Sequence, residues 1–344
     1  EAESSSTSRI SSMGYLYNYG IVRGTTTKIG GIIGYLFNED RSLSIYTCKN
    51  EGRVLGKENV GGIFGELYCK TYKNNSSGNA NLRLSGYQNS GTVKGSVNVG
   101  GIVGLMEIND GNSNSNAKIT LSSCMNVGEM DCGSDYTGGI VGCVKHTFDS
   151  TASRATSIQN CVSRGAMRSG GNIVGRGLLA SGSLAISYCV GIQTHYRGVK
   201  GIIGSVSGTN GMSRGSCNVS SCYYLNTLSA SAFENGGKVY GSAVALNASQ
   251  VKQKESYPDL NFNSLWGIGG GQHDGYPYLQ NAETLEPEQK TAAAVARVPK
   301  NNVTDMLNRI GKDAWPYSEF ELPPYLGADY DDHLGFSVKA TAFL

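Results

Sequence analysis

Val99-Gly100-Gly101-Ile102-Val103-Gly104 decides the fold, because the chain keeps returning to it. The same pattern stands at Ile29-Gly30-Gly31-Ile32-Ile33-Gly34, Val60-Gly61-Gly62-Ile63-Phe64-Gly65 and Thr137-Gly138-Gly139-Ile140-Val141-Gly142. Weaker copies follow at Gly170-Gly171-Asn172-Ile173-Val174-Gly175 and Val199-Lys200-Gly201-Ile202-Ile203-Gly204. A unit that recurs about every thirty to forty residues signals a repeat architecture and outranks any local propensity.

Working outward from the double glycine, each unit divides into three short β-type segments. The first ends in an apolar residue, two variable positions and usually a cysteine: Cys48, Cys124, Cys161, Cys189 and Cys222, with Leu16 and Tyr87 in the same slot. Two residues later stands Asn18, Asn50, Asn89 or Asn126, drifting to Ser163 and Gly191. Four further on is a second apolar column, Val22, Val54, Val93, Met130 and Met167, and the double glycine with its Ile-Val pair makes the third segment. Side chains on a strand alternate faces, so matched residues from successive units pile into inward columns. Stacked asparagines suit this arrangement, since amides hydrogen-bond along a stack of parallel strands. The second glycines, Gly31, Gly62, Gly101 and Gly139, supply open backbone angles or close approach between turns. The expectation is an all-β, right-handed parallel β-solenoid of about seven units.

The stretches between units, including 66–81 and 105–117, are rich in Ser, Asn, Gly and Thr. They read as connectors emerging from one edge, where insertions are tolerated and contacts are made. The expected organisation is an N-terminal segment at 1–12, the array at 13–225, an array end with an aromatic cap at 226–280, and a non-repeat tail at 281–344. That tail has helical propensity over 283–298 and a terminal strand over 335–344.

Composition excludes several classes. Glycine is 48 of 344 residues, charged residues are 16%, and net charge is +2. There is no Gly-x-x period for collagen, no basic run for nucleic acid and no apolar stretch long enough for a membrane span. The first residue is Glu1, which reads as a trimmed product whose targeting segment is not shown. Sequons stand at Asn74, Asn75, Asn218, Asn247 and Asn302; these are glycan acceptors only in a host with that machinery.

Five of the nine cysteines share a slot with leucine and tyrosine, so they read as small core residues. Cys69, Cys132, Cys143 and Cys217 lie outside that column, and disulfide pairing stays open for them. Asp329-Tyr330-Asp331-Asp332-His333 is the densest set of hard-cation ligands, but three solvated aspartates in a turn explain it better. His195 falls in the slot of Val93 and Met130. The connector acids Glu66, Glu107, Asp110 and Asp149, with Lys145, do not recur at aligned positions as a glycosidase pair would require. No metal or cofactor is expected.

The unit Cys-x-Asn-x-Gly-x-Val-x-Gly followed by Val-Gly-Gly-Ile-Val-Gly resembles the GLUG repeat, cleanest at 89–104, then 50–65 and 126–142. The ending, from Cys222-Tyr223-Tyr224-Leu225 through Trp266-Gly267-Ile268 to Gly275-Tyr276-Pro277-Tyr278-Leu279, is similar to the way such arrays close. The resemblance covers residues 13–280. It implies a bacterial surface or secreted protein, since the repeat is found in adhesin-like proteins and in accessory regions of immunoglobulin A-cleaving metallopeptidases. The chain carries no H-E-x-x-H, so that peptidase chemistry is not expected in it. The expectation is a non-catalytic adhesive or structural protein. Its expected partners are a host or matrix protein or glycan, or copies of itself. A carbohydrate-active enzyme and a glycan-binding module are the alternatives.

Overall fold

The computed structural model describes residues 12–39, 42–71, 79–109, 116–132, 136–147, 153–208, 215–229, 231–234, 238–269 and 273–280. Over these the chain is a parallel β-solenoid, with no helix longer than the three-residue turns Gln250–Lys252 and Lys254–Ser256. The expected tail helix and terminal strand, the Asp329 to His333 cluster, and sequons Asn74, Asn75 and Asn302 lie outside the described residues.

Each of the best-formed coils contributes a rung to four parallel sheets, one more than the three segments read from sequence. The longest sheet stacks Ser12–Asn18, Ser42–Asn50, Asn79–Asn89, Asn116–Ser122, Ser153–Gln159, Ser183–Ser187 and Ser216–Leu225, and Val239–Leu246 adds a further parallel rung. Short strands such as Val54–Leu55 and Val93–Lys94 form the second sheet, and Glu58–Gly61 and Val97–Gly100 belong to the third. The fourth stacks Ile33–Glu39, Phe64–Lys70, Val103–Ile108, Val141–His146, Val174–Leu179 and Ile203–Ser207.

The extra sheet arises because the double glycine is a corner. At that corner two successive amides donate to one carbonyl of the next coil: Ile102 N and Val103 N both reach Ile140 O, at 2.9 and 3.0 Å. Ile63 N and Phe64 N do the same to Ile102 O. Only a backbone turning through the corner can aim two consecutive N–H groups at one acceptor. The corner isoleucines Ile63, Ile102, Ile140, Ile173 and Ile202 are fully buried, each contributing roughly 1.5–3 kcal/mol of apolar burial.

A second corner was invisible in the sequence. The residue before the cysteine slot has positive φ in every coil: Tyr15, Thr47, Gly86, Ser123, Asn160, Tyr188 and Ser221. Left-handed backbone disfavours most of these residue types, so the stacked hydrogen bonds on either side must hold it. Turning there also lets each thiol reach back, and Cys124, Cys161 and Cys189 donate to the carbonyls of Ser122, Gln159 and Ser187 at 3.2 Å.

The connectors are shorter than the sequence suggested. Glu66 to Lys70, Leu105 to Ile108, and Cys143 to His146 are in strands, and Leu67, Cys69, Met106, Ile108 and Val144 among them pack in the core. The aromatic segment also packs differently from a cap over the end of the stack. Val251, Tyr257, Leu260, Trp266 and Leu279 cluster with Met125, Val162, Val190 and Tyr223, which are one column on the flank of four successive coils. In the earlier coils that column holds Tyr17, Lys49 and Gln88. Where it turns apolar it needs cover, and the aromatic segment supplies it.

Candidate functional site

The recurring polar residues build a ladder through the stack. Asn18 Nδ2 donates to Asn50 Oδ1 at 2.7 Å, Asn50 Nδ2 to Asn89 Oδ1 at 2.7 Å, and Asn89 Nδ2 to Asn126 Oδ1 at 2.8 Å. The same amides also donate to the carbonyls of Gly20, Gly52, Gly91 and Gly128. Beneath each amide lies the second glycine of the preceding coil: a Cβ on Gly31, Gly62 or Gly101 would come within 2.8 Å of Asn50, Asn89 or Asn126. A Cβ on Gly139 would meet Ser163 at 2.1 Å. One coil later the two roles exchange. Asn172 occupies the glycine position, and the slot it faces holds Gly191, which leaves room for a side chain.

Cys48, Cys124, Cys161, Cys189 and Cys222 stack in the core, and all nine cysteines are buried thiols. Burial pushes the thiols of Cys48, Cys143 and Cys217 up to about 12, and it raises those of Cys124 and Cys189 as well. Thiols so placed are poor nucleophiles.

The acids that a hydrolytic reading would need are tied down. Glu66, almost fully buried, pairs with Lys28 at 2.9 Å and accepts from Asn59 Nδ2 at 2.6 Å. Glu107 pairs with Lys145 at 3.1 Å and accepts from Thr147 Oγ1 at 2.7 Å. Lys28 also lies over the Tyr35 ring, 3.7 Å from its centroid. Asp110 and Asp149 lie outside the described residues. Among the described residues no group of three or more His, Cys, Asp or Glu side chains is placed to hold a metal.

Inside the stack sits a buried polar knot. His146 Nδ1 lies 2.9 Å from Ser181 O, which can only accept, so Nδ1 carries the proton and Nε2 accepts from Thr156 Oγ1 at 3.0 Å. Arg154 donates to Ser181 Oγ at 2.7 Å. Burial first, and then the Arg154 charge, hold the imidazole down at about 4. A base whose folded value lies below its unfolded value of about 6.5 stabilises the fold above that pH, and the contribution is lost as pH falls toward 4. Stability should therefore drop by roughly 3 kcal/mol across that window. Urea midpoints at pH 7 and 4.5 test this, with His146→Asn expected to flatten the dependence; a wild-type midpoint that holds steady would refute it.

His195 does not join the Val93 and Met130 column. Gln193 turns inward instead, donating from Nε2 to Met167 O at 3.0 Å, and His195 is exposed. It lines a cleft of about 340 Å³ between the coils and the aromatic flank segment, together with Arg164, Thr194, Lys252, Asp274 and Tyr276. The sequence offered no signal for this cleft, since its two walls lie some hundred residues apart, as Arg164 and Asp274 do.

No family model and no curated protein matches the chain. A search of solved structures finds the crystal structure of a Bacteroides ovatus protein named as a candidate immunoglobulin A1 protease. The identity is 19%, the match covers 77% of this chain and 68% of that one, and the TM-score is 0.37. Likeness at this level says nothing of function.

Proposed function

We propose that this chain is a non-catalytic adhesive or structural element of a secreted or cell-surface bacterial protein, meeting a glycan, a matrix protein or copies of itself. The observation that supports it is how the recurring polar groups are used. The amides that repeat from coil to coil hold the coils to one another, and the strand acids Glu66 and Glu107 are paired with Lys28 and Lys145. The resemblance of residues 13–280 to the GLUG unit supports the location. Exposed aromatics such as Tyr15, Tyr35, Phe37 and Tyr240 suit contacts with proteins or sugars. No helix among the described residues is long and apolar enough to cross a membrane.

Light scattering and negative-stain microscopy of the purified chain, with a glycan array, test the reading. Oligomers, filaments or selective glycan capture are expected, without release of reducing ends from polysaccharides. Deleting 335–344 should abolish any oligomer. Release of reducing ends, or a monomer that captures neither glycan nor matrix protein, would refute it.

A further inference from the structure

Arg164 is held in surroundings that suit a ligand. Its side chain is only 14% exposed, yet its carboxylate partner, Asp274, stands 3.4 Å away and is itself 74% exposed. Charge-assisted bonds to carboxylate normally close to about 2.7–2.9 Å. Its other contact, His273 Nδ1, is also at 3.4 Å. The Tyr276 ring has the Arg164 guanidinium 5.3 Å and the Lys252 ammonium 4.6 Å from its centroid, so the ring positions both cations. Against these two positive charges the cleft sets the single carboxylate of Asp274.

Both walls are fixed in advance. On the coil side, buried Gln193 accepts from the backbone amides of His195 and Tyr196 at 2.9 and 3.4 Å, which pins the loop carrying Thr194 and His195. On the flank side, Tyr276 N donates to His273 O at 2.9 Å across a turn with positive φ at Asp274 and Gly275, and that turn presents the Tyr276 ring. Pre-set walls spare a ligand the entropy of ordering them. Ile192 adds an apolar patch, and Thr194 Oγ1 and His195 Nδ1, 3.0 Å from each other, form a polar pair whose hydroxyl and second ring nitrogen can meet a ligand. The volume falls at the small end of the range for small-molecule pockets, roomier than an inorganic anion needs and fit for one or two sugar rings.

We propose that this cleft binds a carboxylate-bearing sugar. Its carboxylate displaces that of Asp274 from the Arg164 fork, Lys252 adds a second positive charge, and its ring hydroxyls meet Thr194 and His195. Asp274 reaches the guanidinium only through Nη2, at 3.4 Å, and a planar guanidinium matches a planar carboxylate better in two parallel bonds. The inference deepens the reading of the chain as a binding element and rests on it.

Calorimetric titration of the full chain with N-acetylneuraminate and with glucuronate tests it, alongside their neutral methyl esters and with acetate and sulfate. One of the acid sugars should bind at least about tenfold more tightly than its ester, the better of the two identifying the source. Arg164→Ala should weaken that binding by about tenfold or more, and Arg164→Lys by less, because charge survives while the fork is lost. Should Arg164→Ala fail to fold by circular dichroism, Lys252→Ala, expected to weaken binding, and Asp274→Asn, expected to preserve or strengthen it, carry the same test. Ester binding equal to acid, acetate or sulfate binding as tightly as the sugar, no uptake of either acid sugar at millimolar concentration, or a folded Arg164→Ala with unchanged affinity would each overturn it. A chain that assembles or captures other glycans while rejecting both acid sugars loses this cleft assignment and keeps the broader function.

Discussion

Gly101→Ala is expected to destabilise the fold by about 3 kcal/mol or more, while Gly177→Ala, also at a buried glycine, shifts it by no more than about 1 kcal/mol. A Cβ on Gly101 would stand 2.2 Å from the carbonyl oxygen of Gly139 and 2.3 Å from Cγ of Asn126. Neither neighbour can retreat. Gly139 belongs to the next coil's corner, whose amide already donates to Gly171 O, and Asn126 is held in the ladder by Asn89. At Gly177 the nearest atoms are Val206 methyls at 3.5 and 3.6 Å, which is ordinary contact, and φ there is not positive. The added methyl should pack there and restrict the unfolded chain as well. Urea unfolding of the two variants side by side checks the difference. Equal effects would mean that the double glycine is present for a reason other than close approach between coils.

The sequence revealed columns more readily than corners. Cysteine, asparagine and double-glycine positions recur in register because each coil meets the next at the same side chain, and such meetings leave a periodic trace. The left-handed column left almost none. Only Gly86 and Asn160 among its seven members are residue types that favour positive φ, so Tyr15, Thr47 and Tyr188 concealed it. Strands beyond the Ile-Val pair read as connectors because one of their stacked rows changes chemistry from coil to coil: Tyr35, Glu66, Leu105, Cys143 and Arg176 stand in register. The flank layer did leave a readable trace, the change from Lys49 and Gln88 to Met125, Val162, Val190 and Tyr223 along one column. That change says cover is needed but not which later segment provides it. For the same reason the Arg164 cleft could not be assembled before the segment was seen in place.

Asn89→Ala should cost about 3 kcal/mol, and Asn89→Asp should cost at least as much although its shape is nearly unchanged. Asn89 is fully buried in mid-ladder, accepting from Asn50 and donating to Gly91 O and Asn126 Oδ1. Alanine removes all three bonds at roughly 1 kcal/mol each and leaves a small void. Aspartate keeps the volume but turns the donor into an acceptor, setting oxygen against the oxygens of Gly91 and Asn126 in a fully buried site. Asn18→Ala, at the end of the ladder, loses one interamide bond to Asn50 and two local bonds with Gly20 that are only partly buried, so it should cost less, about 1–2 kcal/mol. Because Asn50 and Asn89 share a bond, the double alanine variant should lose less than the sum of the singles by about 1 kcal/mol. Thermal or urea unfolding of these variants, with Asn50→Ala to complete the cycle, separates a hydrogen-bonded ladder from a column that merely fills space. A filled column would tolerate aspartate better than alanine and show additive losses, whereas a ladder predicts the opposite on both counts.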